Sequence, residues 1–402
     1  MEPESVTRFS QFLQIKSVHP KPDYWGTTKF LTAQAEEMGL ESQVVEPVKD
    51  KPVVIIKLPG TDPSLKSILL NCHTDVVPVF EDKWTHPPFG GNRVKMEDGS
   101  YNIYARGAQD MKVTGSCYLE AFRQIRASGK QTLRNVYAMF VPDEEIGGQE
   151  GMGAFVQTEE FKAMNGGFNV DEGLCSPSND SYLLYSERAL CWVKFTAHGQ
   201  TGHGSQFIEN TAIEKLLPII DEIMKFREEQ KSSLKSKYPD SQFLDQGHYT
   251  SANLTMLEGG VQANVVPESY TVTFDIRITP DVDCFEFYNW LEKLAKDNGA
   301  EIEYIGRGLT NPVTSLDKSD KFIAAMYESF ETKNLKPVPM IVAGITDARY
   351  VRGAGIPSIG LNPLTNVPML AHDHDEYVPE AEYLKGIDFY VDLIQRLGNV
   401  SE

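Results

Sequence analysis

The sequence predicts an α/β catalytic domain interrupted by a smaller α+β domain. Three observations carry that expectation. Short apolar runs alternate with helical periodicity towards both ends of the chain. The middle region follows a different element order. At 402 residues the chain is also longer than one simple core usually supports.

Near the start, Val6, Phe9, Phe12 and Leu13 recur at helical spacing. Residues 53–58, 68–70 and 136–141 are nearly continuous apolar runs, suited to strands buried on both faces. Residues 111–125 read as a helix between them, which gives the alternation of an α/β domain. The middle region opens with a strand at 190–197. Asn210 or Thr211 can then cap a helix whose apolar face is Ile213, Leu216, Leu217, Ile220 and Met224. Pro218 inside that helix predicts a kink. Strand-like runs at 250–257 and 269–278 flank the Gly259-Gly260 turn and the loop at 264–267. A helix at 282–298 and a strand at 301–305 complete a β-α-β-β-α-β order, that of a ferredoxin-like unit. Beyond the linker at 306–311 the α/β signals resume, with a helix at 322–330, a strand at 356–361 and a closing helix at 380–397. The expected division is residues 1–186 with 309–402 as the catalytic domain, and 187–308 as the insert.

Composition narrows the function. A formal net charge of −19 repels nucleic acid and anionic lipid, so neither is an expected partner. No run approaches the roughly 18 uncharged apolar residues of a membrane span. The first residues carry neither the basic nor the apolar segment of a signal peptide, which makes the cytoplasm the expected compartment. The five cysteines are widely spaced and form no C-x-x-C, which points to reduced thiols. Any metal must then be held by His, Asp and Glu. No G-x-S-x-G is present, which disfavours a serine hydrolase.

Those residue types cluster. An apolar strand ends in His73-Thr74-Asp75, and ligands in open α/β sheets gather at such strand ends. A glycine turn delivers Asp110 just ahead of a helix, where alone it would be read as an N-cap. A second apolar strand runs into Asp143-Glu144-Glu145-Ile146-Gly147-Gly148, and crowded carboxylates are costly unless cations or shared protons offset them. Asp171-Glu172-Gly173 repeats the pattern, and residues 372–376 pack two His and three acids together. Singly, any of these could be a surface accident, although the apolar strand running into Asp143-Glu144-Glu145 argues against a merely solvated loop there. Jointly they supply the His, Asp and Glu donors suited to zinc, with cobalt or manganese as substitutes. Composition leaves open whether His372 or His374 is the ligand.

HTDVVP (73–78), RGAQDMK (106–112) and PDEEIGG (142–148), in that order, resemble the co-catalytic zinc metallopeptidases. GHGS (202–205), FDIR (274–277), TDARY (346–350) and HDHDE (372–376) extend the likeness. That family includes N-acyl-amino-acid amidohydrolases, glutamate-releasing carboxypeptidases, dipeptidases and amino-acid deacetylases. The GAQDMK and HDHDE forms are most similar to its aminoacylases.

The resemblance implies a zinc-peptidase-like α/β domain with a ferredoxin-like lid and dimerisation insert. It implies two Zn2+ per subunit, with His73 and Glu172 on one ion, Glu145 and His372 on the other, and Asp110 bridging. Glu144 would be the general base for a hydroxide shared by the metals, Asp75 would orient His73, and the Asp110–Met111 peptide would be cis. His203 would reach the partner subunit's site in a homodimer and stabilise the oxyanion. Asn264 and Arg277 would bind substrate. Arg349, with Gly344 and Thr346, would receive the α-carboxylate. The implied reaction is hydrolysis of small N-acyl-L-amino acids. A dipeptidase or carboxypeptidase on the same centre is the alternative, and a binding module without metal is a third reading.

Overall fold

The computed structural model describes residues 2–240, 242–309 and 312–401; Thr310 and Asn311 of the expected linker lie outside the described residues. The chain divides into two compact units. One comprises Met1–Tyr185, Thr314–Pro339 and Thr346–Glu402; the other comprises Ser186–Val313 and Met340–Ile345. The segment 340–345 therefore groups with the second unit, whereas the expected boundary at 309 put it in the first.

The strands, in chain order, begin with Glu41–Val48 (β1), Lys51–Leu58 (β2), Ser67–His73 (β3), Asn92–Lys95 (β4) and Tyr101–Tyr104 (β5). Val136–Val141 (β6), Gly166–Asp171 (β7), Asp180–Glu187 (β8), Ala189–His198 (β9), Gly202–His203 (β10) and Ser251–Gly259 (β11) follow. Val265–Val266 (β12), Ser269–Ile278 (β13), Ala300–Arg307 (β14), Lys336–Val342 (β15), Ser358–Leu361 (β16) and Tyr377–Pro379 (β17) complete them.

An eight-stranded sheet runs in the order β1-β2-β6-β3-β7-β16-β8-β15. Its centre is parallel: β3 pairs in parallel with β6 and β7, and β16 with β7. All seven residues of β3 are buried, as its unbroken apolar run predicts for a strand covered on both faces. The helix Lys112–Ser128 packs against β3, and also against the helices Glu4–Leu13 and Glu380–Gly398. Glu4–Leu13 buries Val6, Phe9, Phe12 and Leu13, the four residues its periodicity singled out. Phe9 stacks on Tyr383 at 4.7 Å, and Tyr118 meets Tyr390 edge-on at 4.9 Å. Strands β17, β5 and β4 form a small separate sheet.

In the second unit the strand order β14-β9-β13-β11 is antiparallel throughout, which is the ferredoxin-like arrangement. On β9, Ala189, Cys191, Val193, Phe195 and Ala197 are buried and the intervening residues are not, so one sheet face is covered. The helices Ala212–Lys237 and Cys284–Asp297 supply the apolar residues of this core. Thr211 caps the first through a capping box, its own N–H donating to Glu214 Oε2 at 2.7 Å. The buried stripe is Ala212, Leu216, Ile219 and Ile223, while Leu217, expected inside, is 47% exposed. Of the expected face, Leu216 is buried and Ile220 and Met224 pack half-buried against the same core. The helix continues unbroken through Pro218.

Other elements had no strong signal. The helix Tyr24–Glu37 buries Thr27, Thr28 and Gln34, so its inner face does not look apolar. Strand β1 is mostly exposed or half-buried and reads as polar. Among the described residues no helix is long and apolar enough to cross a membrane.

Cys72 faces the side of β3 opposite His73, as the pleat requires. A Cβ built on Gly115, in the helix Lys112–Ser128, would lie 2.6 Å from Cys72 Sγ and 2.9 Å from Phe140. Helix and sheet therefore touch where both side chains are small. Gly115→Ala should destabilise by about 1–3 kcal/mol through overpacking. Adding Cys72→Ala should recover part of that loss, and denaturant unfolding of the single and double variants measures the coupling.

Candidate metal centre

Three neighbouring parallel strands, β6, β3 and β7, end at the same edge of the sheet, and each is followed by or ends in chemistry-bearing residues. Strand β3 ends in His73, β6 leads into Asp143-Glu144-Glu145, and β7 ends in Asp171 ahead of Glu172. Asp110 arrives from the turn before the helix Lys112–Ser128, and the Asp110–Met111 peptide is cis. His372 comes from a C-terminal loop in a left-handed conformation, φ +68°.

These side chains converge. His73 Nε2 lies 2.9 Å from Asp110 Oδ1 and 3.6 Å from Glu172 Oε2. His372 Nε2 lies 3.1 Å from Asp110 Oδ2 and 3.0 Å from Glu145 Oε2. Asp110 thus turns one oxygen to each histidine. Donor atoms of His73, Glu144 and Glu172 lie within 4.8 Å of one another, as do those of His73, Asp110 and Glu145. The ring of His374 instead meets Phe80 edge-on at 6.3 Å.

The electrostatics fit a cation. Burial, followed by the charge of Glu172, raises the Glu144 carboxyl well above its usual range. Burial likewise pushes Glu172 up to about 8 and raises Glu145. Burial opposes ionisation of Asp110 too, but hydrogen bonds from His372 and His73 hold it well below the carboxylate range. Hydrogen bonds to Asp110 and Glu145 raise His372 to about 10. Four acids share this space with two histidines, and Glu145 Oε1 is buried with no hydrogen-bond partner. A divalent cation would satisfy that orphaned oxygen and offset the repulsion, and the all-nitrogen-and-oxygen donor set suits it.

Surrounding residues hold the cluster through the backbone. His73 Nδ1 is 3.0 Å from the main-chain oxygen of Asp75, while the Asp75 carboxylate stands 3.7 Å away. Asp75 therefore meets the His73 ring through its main-chain oxygen and not through its carboxylate. That carboxylate instead accepts the N–H of Glu144 at 3.2 Å and of Glu145 at 3.1 Å, and contacts His19 Nε2 at 2.8 Å. The chain around His19 is itself laced to the strand end: the Val76 N–H donates to Ser17 O at 2.9 Å, and the His19 N–H to Val76 O at 3.1 Å. Asp171 accepts the Glu172 N–H at 2.8 Å. Glu376 is fully buried and accepts from the N–H groups of Gly107, Gln109 and Asp110 and from Arg106 Nη1. It ties the Asp110 turn to the His372 loop.

The other expected residues divide by unit. Arg349 donates to the carbonyls of Thr346 and Gly147 and lies over the Tyr350 ring. Thr346 is buried, and Gly344, in the second unit, faces open space. In the second unit, His203 on β10 pairs with Val265 on β12, directly after Asn264, and Gly204 N–H donates to Asn264 O at 2.8 Å. Arg277 is engaged by Asp275 at 2.7 and 3.1 Å on the same face of β13. Sequence reasoning passed over His19, Glu376 and Asp347. Glu376 stood inside the HDHDE motif and Asp347 inside TDARY, so both had a signal; His19 had none. Asp347 is buried with neither carboxylate oxygen hydrogen-bonded, and its charge contributes to the raised Glu144.

The sequence matches peptidase family M20/M25/M40 over residues 69–396. Aminoacylase-1 of Sus scrofa is 45% identical over 401 residues, covering 99% of this chain and 96% of its own length. Aminoacylase-1 of Homo sapiens is 42% identical with the same coverage, and that of Dictyostelium discoideum is 41% identical, covering 99% and 98%. Among solved structures, an M20 family metallo-carboxypeptidase from Sulfolobus solfataricus aligns with a TM-score of 0.76 at 20% identity, covering 99% of this chain and all of its own. The Bacillus subtilis YXEP protein, described as a dinuclear metal-binding peptidase of the same family, aligns at 0.65 and 16% identity, covering 98% of each chain. With its own parallel-strand ends bearing the clustered His, Asp and Glu, the chain belongs to peptidase family M20/M25/M40.

Proposed function

We propose that the chain hydrolyses N-acyl-L-amino acids to a carboxylate and a free L-amino acid, at a centre of two divalent metal ions, with zinc the best match to the donors. The observation that carries this is the division of Asp110 between two histidines, each beside its own glutamate. His73 and Glu172 would hold one ion, His372 and Glu145 the other, and Asp110 both. When bound, such ions supply Lewis-acid activation of the acyl carbonyl and of water.

The protein's part is positioning and proton transfer. Glu144 is the general base: its carboxylate takes a proton from the attacking water and delivers it to the nitrogen as the C–N bond breaks. Its burial, which raises its proton affinity, supports that role. The Asp75 carboxylate fixes Glu144 and Glu145 through their main-chain N–H groups. Arg349, with Thr346 and Gly344, would receive the substrate carboxylate, and Asn264 with Arg277 would bind substrate. All five cysteines are free and buried, which supports a reducing compartment, the cytoplasm.

The second unit would pair two copies and bring His203 to the partner's site. Phe207, Met256, Leu257 and Val261 are exposed apolar residues there, and β11 is an uncovered sheet edge, which supports that role.

A panel of N-acetyl-L-amino acids and free-amine dipeptides, assayed at defined zinc, tests the reaction. Acetyl-amino acids should be preferred, and preference for dipeptides would sink the assignment. Glu144→Gln should keep its metal content by elemental analysis and lose turnover by roughly 10²–10⁴-fold. Glu144→Gln and His203→Asn chains are each expected to be inactive alone. Mixed dimers should regain turnover, because one site then has Glu144 together with the other chain's His203. No recovery on mixing would remove the cross-subunit role.

A further inference from the structure

A cavity of about 210 Å³ lies within the second unit, lined by Arg188, Arg227, Lys231, Gln246 and Ser251 among others. None of the candidate metal ligands lines it. Arg188 is only 6% exposed. Its Nε and Nη2 donate to the Ala343 carbonyl at 3.1 and 2.9 Å, and its Nη1 to the Tyr249 carbonyl at 3.2 Å and the Ser251 hydroxyl at 3.0 Å. Every one of these acceptors is neutral. A guanidinium has five N–H donors, so four bonds leave one uncommitted.

A buried cation normally has an anion beside it, because desolvating the charge is otherwise uncompensated. Asp275, the carboxylate whose field reaches Arg188, is already held by Arg277. Burial, and then the like charge of Arg277, pulls Arg188 down to about 10. Further cations stand at the same cavity. Arg227 and Lys231 lie one turn apart on the helix Ala212–Lys237 and share one acid, Glu228. Among the described residues lining the cavity three are cations and none is a carboxylate, in a chain whose net charge is −19.

We propose that this cavity is a binding site for a small oxyanion carrying two negative charges, with Arg188 as the buried anchor and Arg227 and Lys231 as the outer clamp. The cavity's size suits a phosphate or a short dicarboxylate, and guanidinium forks recognise both groups. The bound anion would neutralise Arg188 and cross-link the helix Ala212–Lys237 to the start of β11, where Ser251 sits.

Selenate diffused into crystals of the metal-loaded protein should give an anomalous peak within hydrogen-bond distance of Arg188. Calorimetric titration with inorganic phosphate and with succinate separates a phosphoryl ligand from a dicarboxylate. The Arg227→Ala/Lys231→Ala variant should weaken that binding by roughly tenfold or more, with turnover unchanged. No selenate peak in the cavity, or anion affinities unaltered in the variant, would overturn the proposal.

Discussion

Four carboxylates held side by side at one edge of a sheet are the constraint from which the rest of the catalytic unit follows. Like charges that close repel, and burial compounds the cost. The protein meets the difficulty by securing the backbone of every acid in the cluster. The N–H of Asp110 is bonded to Glu376, those of Glu144 and Glu145 to Asp75, and that of Glu172 to Asp171. A second ring of buried acids therefore grips the first through peptide N–H groups. This leaves the carboxylates of the first ring aimed inward at the two histidines.

That second ring explains features remote from the chemistry. Glu376 needs the donors of the turn at 107–110, so the loop carrying His372 is docked by its own sequence. Asp75 needs His19, so the N-terminal segment pairs with the end of β3. Asp143, in a left-handed conformation, is held by the Tyr24 hydroxyl at 2.6 Å and by Lys51. The helix Tyr24–Glu37, whose sequence signal is weak, carries one of these supports in Tyr24 and packs on β1 and β2.

The parts legible in the sequence were those written as local pattern. The buried strands β3 and β6 were apolar runs, the acids followed them directly, and the insert's element order survived translation into space. What was not legible depended on which atom of a residue acts. Asp75 was placed correctly next to His73, but sequence cannot say that its carbonyl serves the ring while its carboxylate serves a different loop. Leu217 and Ala212 are both plausible inward residues, and only packing against the sheet decides the phase. His19 carries no motif at all, because its partner lies more than fifty residues away and the pairing exists only once the fold has formed.

The candidate donors are spread from His73 to His372, and the second unit's residues lie between them in the sequence. During synthesis the strand-end acids emerge long before the loop that completes their surroundings. A nascent chain that stops short of His372 lacks both a histidine and the Glu376 anchor, so it cannot complete the site. The arrangement of two histidines about Asp110 therefore exists only once residues 372–376 are in place.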